Sequence, residues 1–301
     1  MSPFQVIWKT QEEINVEQEN FILKIRSLYN QFTKVEKKVA DYVLQHPDEV
    51  VYMSINDLAD ACQAGETSVY RFCRDLGVEG YQDFKMKLSL SISKNKLGSM
   101  DEPTGNVTRE DSTSVLAQKT AQTLTNTIAE TLSSFSESEF LRTIEMIEEA
   151  ENFYFFGIGD SLLTAMEASN TFMRVTKKVH CLSDPHLQAM TASMMTSRDL
   201  VIAISYSGST KDTVHAVKLA KEAGAKIACI TRFVKSPLTV YADAVLLCGS
   251  NEGPLQAGST SGKISQLFLV DLLFSEYYRR TYTESKENIK KTSPSVLDKL
   301  Y

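Results

Sequence analysis

Apolar positions follow two different spacings along the chain, and the change falls near residue 114. From Phe21 to Ser93 they recur at helical intervals. Thr33-Lys34-Val35-Glu36 reads as a capping box, and Val35, Val39, Tyr42 and Val43 share one face of the helix it opens. His46-Pro47 ends that helix, because a residue before proline avoids helical geometry. Ser54-Ile55-Asn56-Asp57 starts a short helix carrying Ile55, Leu58 and Ala59. After a break at Gln63-Ala64-Gly65, a third helix is expected from Glu66 to Asp75, stopped by Gly77 as a left-handed cap. Phe84, Met86, Leu88 and Leu90 belong to a further helix.

Beyond Ser114, helical stretches alternate with unbroken apolar runs: Phe153 to Phe156, Leu200 to Ile204, Ile227 to Ile230 and Ala244 to Leu247. Such runs predict strands of a parallel sheet covered on both faces. Right-handed crossovers then give a doubly wound α/β layer, with ligands expected outside the carboxyl ends of its strands. Between the two patterns, residues 94 to 113 collect polar side chains, two glycines and one proline, the chemistry of a linker. The expected plan is an extension over 1–20, an all-α domain over 21–93, a linker over 94–113, an α/β domain over 114–280 and a charged tail over 281–301.

Composition agrees with two ordinary globular domains: 301 residues, 43% hydrophobic and 23% charged. The formal charge of −6 argues against non-specific binding of the whole chain to nucleic acid or membrane, and leaves a local patch open. No apolar window is long enough to span a bilayer, and Met1 to Gln5 lacks the basic-then-apolar order of a secretory signal, so a cytoplasmic protein is expected. Cys62, Cys73, Cys181, Cys229 and Cys248 are scattered, with no CxxC pair and no Cys/His cluster at ligand spacing. Free thiols are expected, with no metal and no cofactor.

The densest chemistry lies after the second predicted strand, in Ser205-Tyr206-Ser207-Gly208-Ser209-Thr210. A helix starts there, and its first amides carry the positive end of the helix dipole, which attracts an anion. Gly208 lets the backbone approach a ligand, and hydroxyls can donate to phosphate oxygens without adding charge. A second loop of the same kind, Gly157-Ile158-Gly159-Asp160-Ser161, follows the first strand. It is not a dinucleotide fingerprint, because Leu162 stands at the third glycine position. Serines at helix starts are commonly plain N-caps; two such loops in one sheet favour a pocket. Together these elements resemble the SIS (sugar isomerase) domain, over roughly residues 114 to 280. The resemblance implies a phosphosugar site at Gly159, Ser161, Ser205, Ser207, Gly208, Ser209 and Thr210, and a domain that dimerises. Ser259, Ser261 and Lys263 are further candidates for its sugar end.

In the first domain, the helices around 54–62 and 66–75 have helix-turn-helix proportions. Thr67, Ser68, Tyr70, Arg71 and Arg74 are the outward polar positions of the second helix, with Glu66 ahead of them, while Val69, Phe72 and Cys73 point inward. Arginine can pair with guanine edges or phosphate, and Lys85, Lys87, Lys94 and Lys96 could contact the DNA backbone. Charges over residues 33 to 98 nearly balance, so a basic excess appears only from Arg71 onward.

Ser54 to Ala59, Val69-Tyr70-Arg71-Phe72-Cys73-Arg74-Asp75-Leu76-Gly77 and Gly80 to Lys85, joined to a SIS domain, resemble the RpiR family of bacterial transcription regulators. Gly65 departs from it, standing where the family often has a capping serine. The resemblance implies a dimer or higher homo-oligomer that binds a roughly palindromic operator and responds to a sugar phosphate. The competing reading is an aldose–ketose isomerase with a helical extension. That needs a base, and His186, Glu167, Glu252 and His215 are present without a motif that forces the role. A third reading is a phosphosugar sensor that binds another protein.

Overall fold

A computed structural model describes residues 21–51, 53–95, 108–249 and 260–299. The chain divides into two compact units, one helical, carried by residues 21–95, and one α/β.

The helical unit contains α1 (Phe21–Leu28), α2 (Lys34–Gln45), the short α3 (Pro47–Val50), α4 (Ile55–Ala61), α5 (Glu66–Asp75) and α6 (Tyr81–Asn95). The predicted capping box at Thr33 forms, and the helix start at Ser54 proves to be a second one. Glu36 N donates to Thr33 Oγ1 at 3.3 Å while Thr33 N donates to Glu36 Oε2 at 2.8 Å, and Ser54 and Asp57 repeat the exchange. The buried stripe of α2 is Glu36, Val39, Ala40 and Val43. Val35 lies roughly 90° around the helix from the centre of that stripe, and it is exposed rather than buried as expected. Likewise Phe84 and Leu88 fill the core from α6, while Met86 and Leu90 fall on its outer side. Phe32, Phe72, Phe84 and Tyr81 form a chain of rings with neighbouring centroids 5.1–5.8 Å apart.

Lys85 is buried against this core and donates from Nζ to the Met53 carbonyl at 3.0 Å, so it is not available to a DNA backbone. Burial pulls its ammonium down to about 8, against an opposing pull from the Asp57 carboxylate. In the unfolded chain a lysine titrates near 10.4. Below about pH 8 the fold carries the full cost of the buried charge. Between about pH 8 and 10.4 the unfolded chain binds more protons than the folded one, so stability rises with pH, by about 3 kcal/mol in all. Urea unfolding from pH 7 to 10 should show this rise in the native chain relative to Lys85→Met; parallel curves would refute it.

The α/β unit opens with α7 (Thr113–Ser133), capped by Ser112, and α8 (Glu137–Glu149). There follow β1 (Asn152–Phe156), α9 (Asp160–Met173), β2 (Val179–Cys181), α10 (Pro185–Ala192), β3 (Asp199–Ile204), α11 (Lys211–Glu222), β4 (Lys226–Thr231), β5 (Ala244–Leu247), α12 (Thr260–Arg280) and α13 (Tyr282–Thr292). All five strands are parallel in the order β2-β1-β3-β4-β5. Alternate strand residues feed two cores. Phe153, Phe155, Leu200, Ile202 and Ile204 pack with α8, α9 and α12 on one face. Phe156, Val201, Ala203, Ile227 and Cys229 pack with α10 and α11 on the other.

The expected linker narrows at both ends, since α6 runs to Asn95 and Ser112 caps α7; residues 96–107 lie outside the described residues. The charged tail is largely the helix α13. Asn288 Nδ2 donates to the Val175 carbonyl at 2.8 Å and Thr292 Oγ1 to the Arg174 carbonyl at 3.0 Å, satisfying groups left open where α9 ends. No described helix is long and apolar enough to cross a membrane.

Candidate ligand site and nucleic-acid interface

The neighbouring strands β1 and β3 send their crossovers to opposite faces: α9 to one, α11 to the other. This is the topological switch point, where the loops at the carboxyl ends of neighbouring strands part and leave a crevice. Both loops predicted from the sequence lie there: 157–161 after β1, with Asp160 and Ser161 already in the first turn of α9, and 205–210 after β3.

The second loop is tightly built. The Gly208 amide donates to the Ser205 carbonyl at 3.1 Å, and its carbonyl accepts from Leu238 N at 3.0 Å. Gly208 has φ +60°, and a Cβ there would lie 2.6 Å from Ser236 Cβ. Ser205 is buried, and its Oγ lies 3.3 Å from Thr210 Oγ1; Ser207, Ser209 and Thr210 are half-buried. Ser209 N donates to Ser207 Oγ at 3.2 Å, and Ser209 Oγ to the Ser207 carbonyl at 3.1 Å. Thr210 is the N-cap residue of α11, yet its side chain makes no capping bond. The ordinary use of a threonine at this position is therefore not made. Its hydroxyl turns toward Ser205 instead, and the first amides of α11 stay open to an anion.

The first loop is held from both sides. Gly157 packs so closely on the start of α9 that a Cβ would meet the Ser161 carbonyl oxygen at 2.7 Å. Gly159 is exposed, has φ +60° and stands as the N-cap of α9 without a side-chain cap. Ser161 is half-buried, and its Oγ accepts from Gln266 Nε2 at 3.4 Å; Gln266 Oε1 in turn accepts from Thr164 at 3.0 Å. Lys263 pairs with Asp160 at 3.4 Å. Gln188, on α10, donates to the Gly157 carbonyl at 3.1 Å and to the Leu182 carbonyl at 2.7 Å. Sequence reading passed over Gln266 and Gln188. The available signal was a polar residue inside a buried stripe, as in the run Gln266, Leu269, Val270, Leu273 and Tyr277 on α12. Ser259 and Glu252 lie outside the described residues.

Of the candidate bases, His186 and His215 are exposed on α10 and α11. Glu167 is an exposed carboxylate that accepts from Thr171 within α9. Among the described residues, no group of three or more His, Cys, Asp or Glu is placed to hold a metal ion.

In the helical unit, α4 and α5 form the helix-turn-helix pair. Val69, Phe72 and Cys73 are buried, and Thr67, Tyr70, Arg71 and Arg74 are exposed, with Ser68 between. Gly65 is the N-cap of α5 and supplies no side-chain bond. At the other end Val78 N bonds to the Cys73 carbonyl and Gly77 N to that of Arg74, closing the helix in a left-handed turn at Gly77 (φ +71°). Arg74 reaches the Val78 and Glu79 carbonyls at 3.4 Å, so part of its donor capacity stays within the fold. Arg71 makes no hydrogen bond or ion pair among the described residues. Lys87 is half-exposed and pairs with Asp83 at 3.4 Å. The side chains of Lys94 and Lys96 lie outside the described residues.

Comparison with known proteins bears on both units. Residues 146–276 match the SIS domain model, and residues 19–95 match the helix-turn-helix domain of the rpiR family. An HTH-type transcriptional regulator of Haemophilus influenzae is 35% identical over 85% of this chain and 89% of its own length. One from Caldanaerobacter subterraneus subsp. tengcongensis is 34% identical over 89% and 94%. The NanR protein of Vibrio vulnificus, solved as a complex with ManNAc-6P, superimposes with a TM-score of 0.83 at 30% identity, over 93% of this chain and 99% of that one. The chain thus belongs to the RpiR family of transcription regulators, in which a helix-turn-helix domain precedes a SIS domain, and not to the sugar-phosphate isomerases considered from sequence.

Proposed function

We propose that this regulator binds a roughly palindromic operator as a homodimer through Thr67, Ser68, Tyr70, Arg71 and Arg74, and that a sugar phosphate bound in the SIS domain alters its operator affinity. Gly159, Ser161, Ser205, Ser207, Gly208, Ser209 and Thr210 would form that ligand's site, with the hydroxyls of Ser205, Ser207 and Thr210 on its phosphate. The observation that carries the ligand reading is the unused cap. Thr210 leaves the amide end of α11 open beside a cluster of hydroxyls, at the switch point of the sheet. The likeness to NanR, solved with ManNAc-6P, supports the ligand class and makes that compound the first to try. The ligand acts only through a difference in affinity for the DNA-competent and incompetent states. A coupling of about 1–3 kcal/mol would change operator affinity roughly 5- to 150-fold.

The test is fluorescence anisotropy on DNA upstream of the gene and its neighbours, with and without a panel of sugar phosphates. Ser207→Ala should weaken the sugar phosphate roughly 10- to 100-fold, by loss of a hydrogen bond to a charged group, and leave DNA binding of the free protein intact. Arg71→Ala should do the reverse. Equal loss of both activities in either folded variant would refute this division of labour.

A further inference from the structure

One carboxylate on the outer face of α5 has no part in the reading above. Glu66 is exposed in the first turn of that helix. With the Asn56 amide turned so that its nitrogen faces the carboxylate, that nitrogen donates to Glu66 Oε1 at 2.9 Å and lies 3.1 Å from Oε2. Asn56 stands in the first turn of α4, where the Ser54–Asp57 capping box fixes the backbone. The carboxylate is thus held from across the turn, at the leading end of the helix whose N-terminal residues meet base edges in helix-turn-helix proteins.

A negative charge on such a face works against binding, because it repels phosphates. It is also an acceptor only. In the major groove the groups that repay it are exocyclic amines, N4 of cytosine and N6 of adenine; guanine O6 and thymine O4 are acceptors and repel it. Thr67 and Ser68 can donate or accept and so tolerate either kind of edge, while Arg71 can only donate. Glu66 is therefore the exposed group on the first turn of α5 able to demand a donor.

We infer that Glu66 is a specificity-determining residue of the DNA interface, accepting from a cytosine or adenine amine in each half-site, with Asn56 as its positioning residue. The inference rests on α5 being the helix that meets DNA. A purely structural role is the competing account, since an acid in the first turn also favours the helix dipole.

The experiment selects bound sequences from a randomised duplex library with the full chain, its Glu66→Ala and Glu66→Gln variants, and Asn56→Ala. Circular dichroism verifies that each is folded. The native chain should select cytosine or adenine at one position repeated in both half-sites. Glu66→Ala should lose about 5- to 150-fold of discrimination at that position and keep the rest of the preferred sequence. Asn56→Ala should blur the same position less. An unchanged preference in Glu66→Ala overturns the inference and leaves Glu66 a structural residue. Tighter binding to all duplexes alike also overturns it, since the acid would then only restrain phosphate contact. Failure of the native chain to select any sequence overturns the reading of α5 itself, and the inference with it.

Discussion

Gly208→Ala should abolish sugar phosphate binding and destabilise the α/β unit by about 2–5 kcal/mol. Two costs add. The residue sits at φ +60°, where a side chain costs roughly 1–2 kcal/mol. The new Cβ would also press into Ser236 Cβ at 2.6 Å and Thr231 Oγ1 at 3.1 Å, an overpacking worth about 1–3 kcal/mol. Backbone movement gives little relief, because the Gly208 amide and carbonyl are bonded to Ser205 and Leu238. Any shift that did occur would carry Ser207 and Ser209 with it. Urea unfolding and titration with a sugar phosphate measure the two losses. A variant with native midpoint and affinity would refute the account of this turn.

Phe72→Ala should unfold the helical unit and remove DNA binding while the α/β unit keeps its ligand. Phe72 is fully buried, with its ring centroid 5.1 Å from that of Phe32 and 5.8 Å from that of Phe84. Truncating a buried phenylalanine costs about 3–5 kcal/mol. A small domain has little stability to spare, because it buries a smaller fraction of its surface. Its core shares no residue with either core of the α/β unit. Limited proteolysis should therefore cut the helical unit and spare the other, which should still gain thermal stability from a sugar phosphate. Loss of both responses together would show that the two cores do not stand independently.

What sequence reading found and missed follows from the range of the interactions involved. The capping box at Thr33, the helix start at Ser54 and the left-handed stop at Gly77 are each encoded within a few residues, and each forms. The strands β3 and β4 were legible because both faces are buried, which leaves an unbroken apolar run; β1 and β5 bury some residues fully and others partly, and their apolar runs are unbroken all the same. Val179-His180-Cys181 gives no such run, since the edge strand β2 is covered less completely. Burial was harder to read than secondary structure. Val35 and Lys85 exchanged the places their types predict, because the orientation of a helix is set by partners far along the chain. The hydroxyls after β3 announced themselves by density. Gln266 did not: its bonds to Ser161 and Thr164 span more than a hundred residues.

The composition of the turn at 205–210 has a bearing on what the regulator would report to the cell. Its side chains are hydroxyls, and none of them ionises near neutral pH. A phosphate held there would meet fixed dipoles, whose strength is unaffected by acidity. The affinity would then follow the ligand's own second ionisation, near pH 6, and level off above about pH 7. Such a receptor behaves as a gauge whose calibration holds steady through ordinary swings in the acidity around it. Above about pH 7, what it would register is the supply of the metabolite.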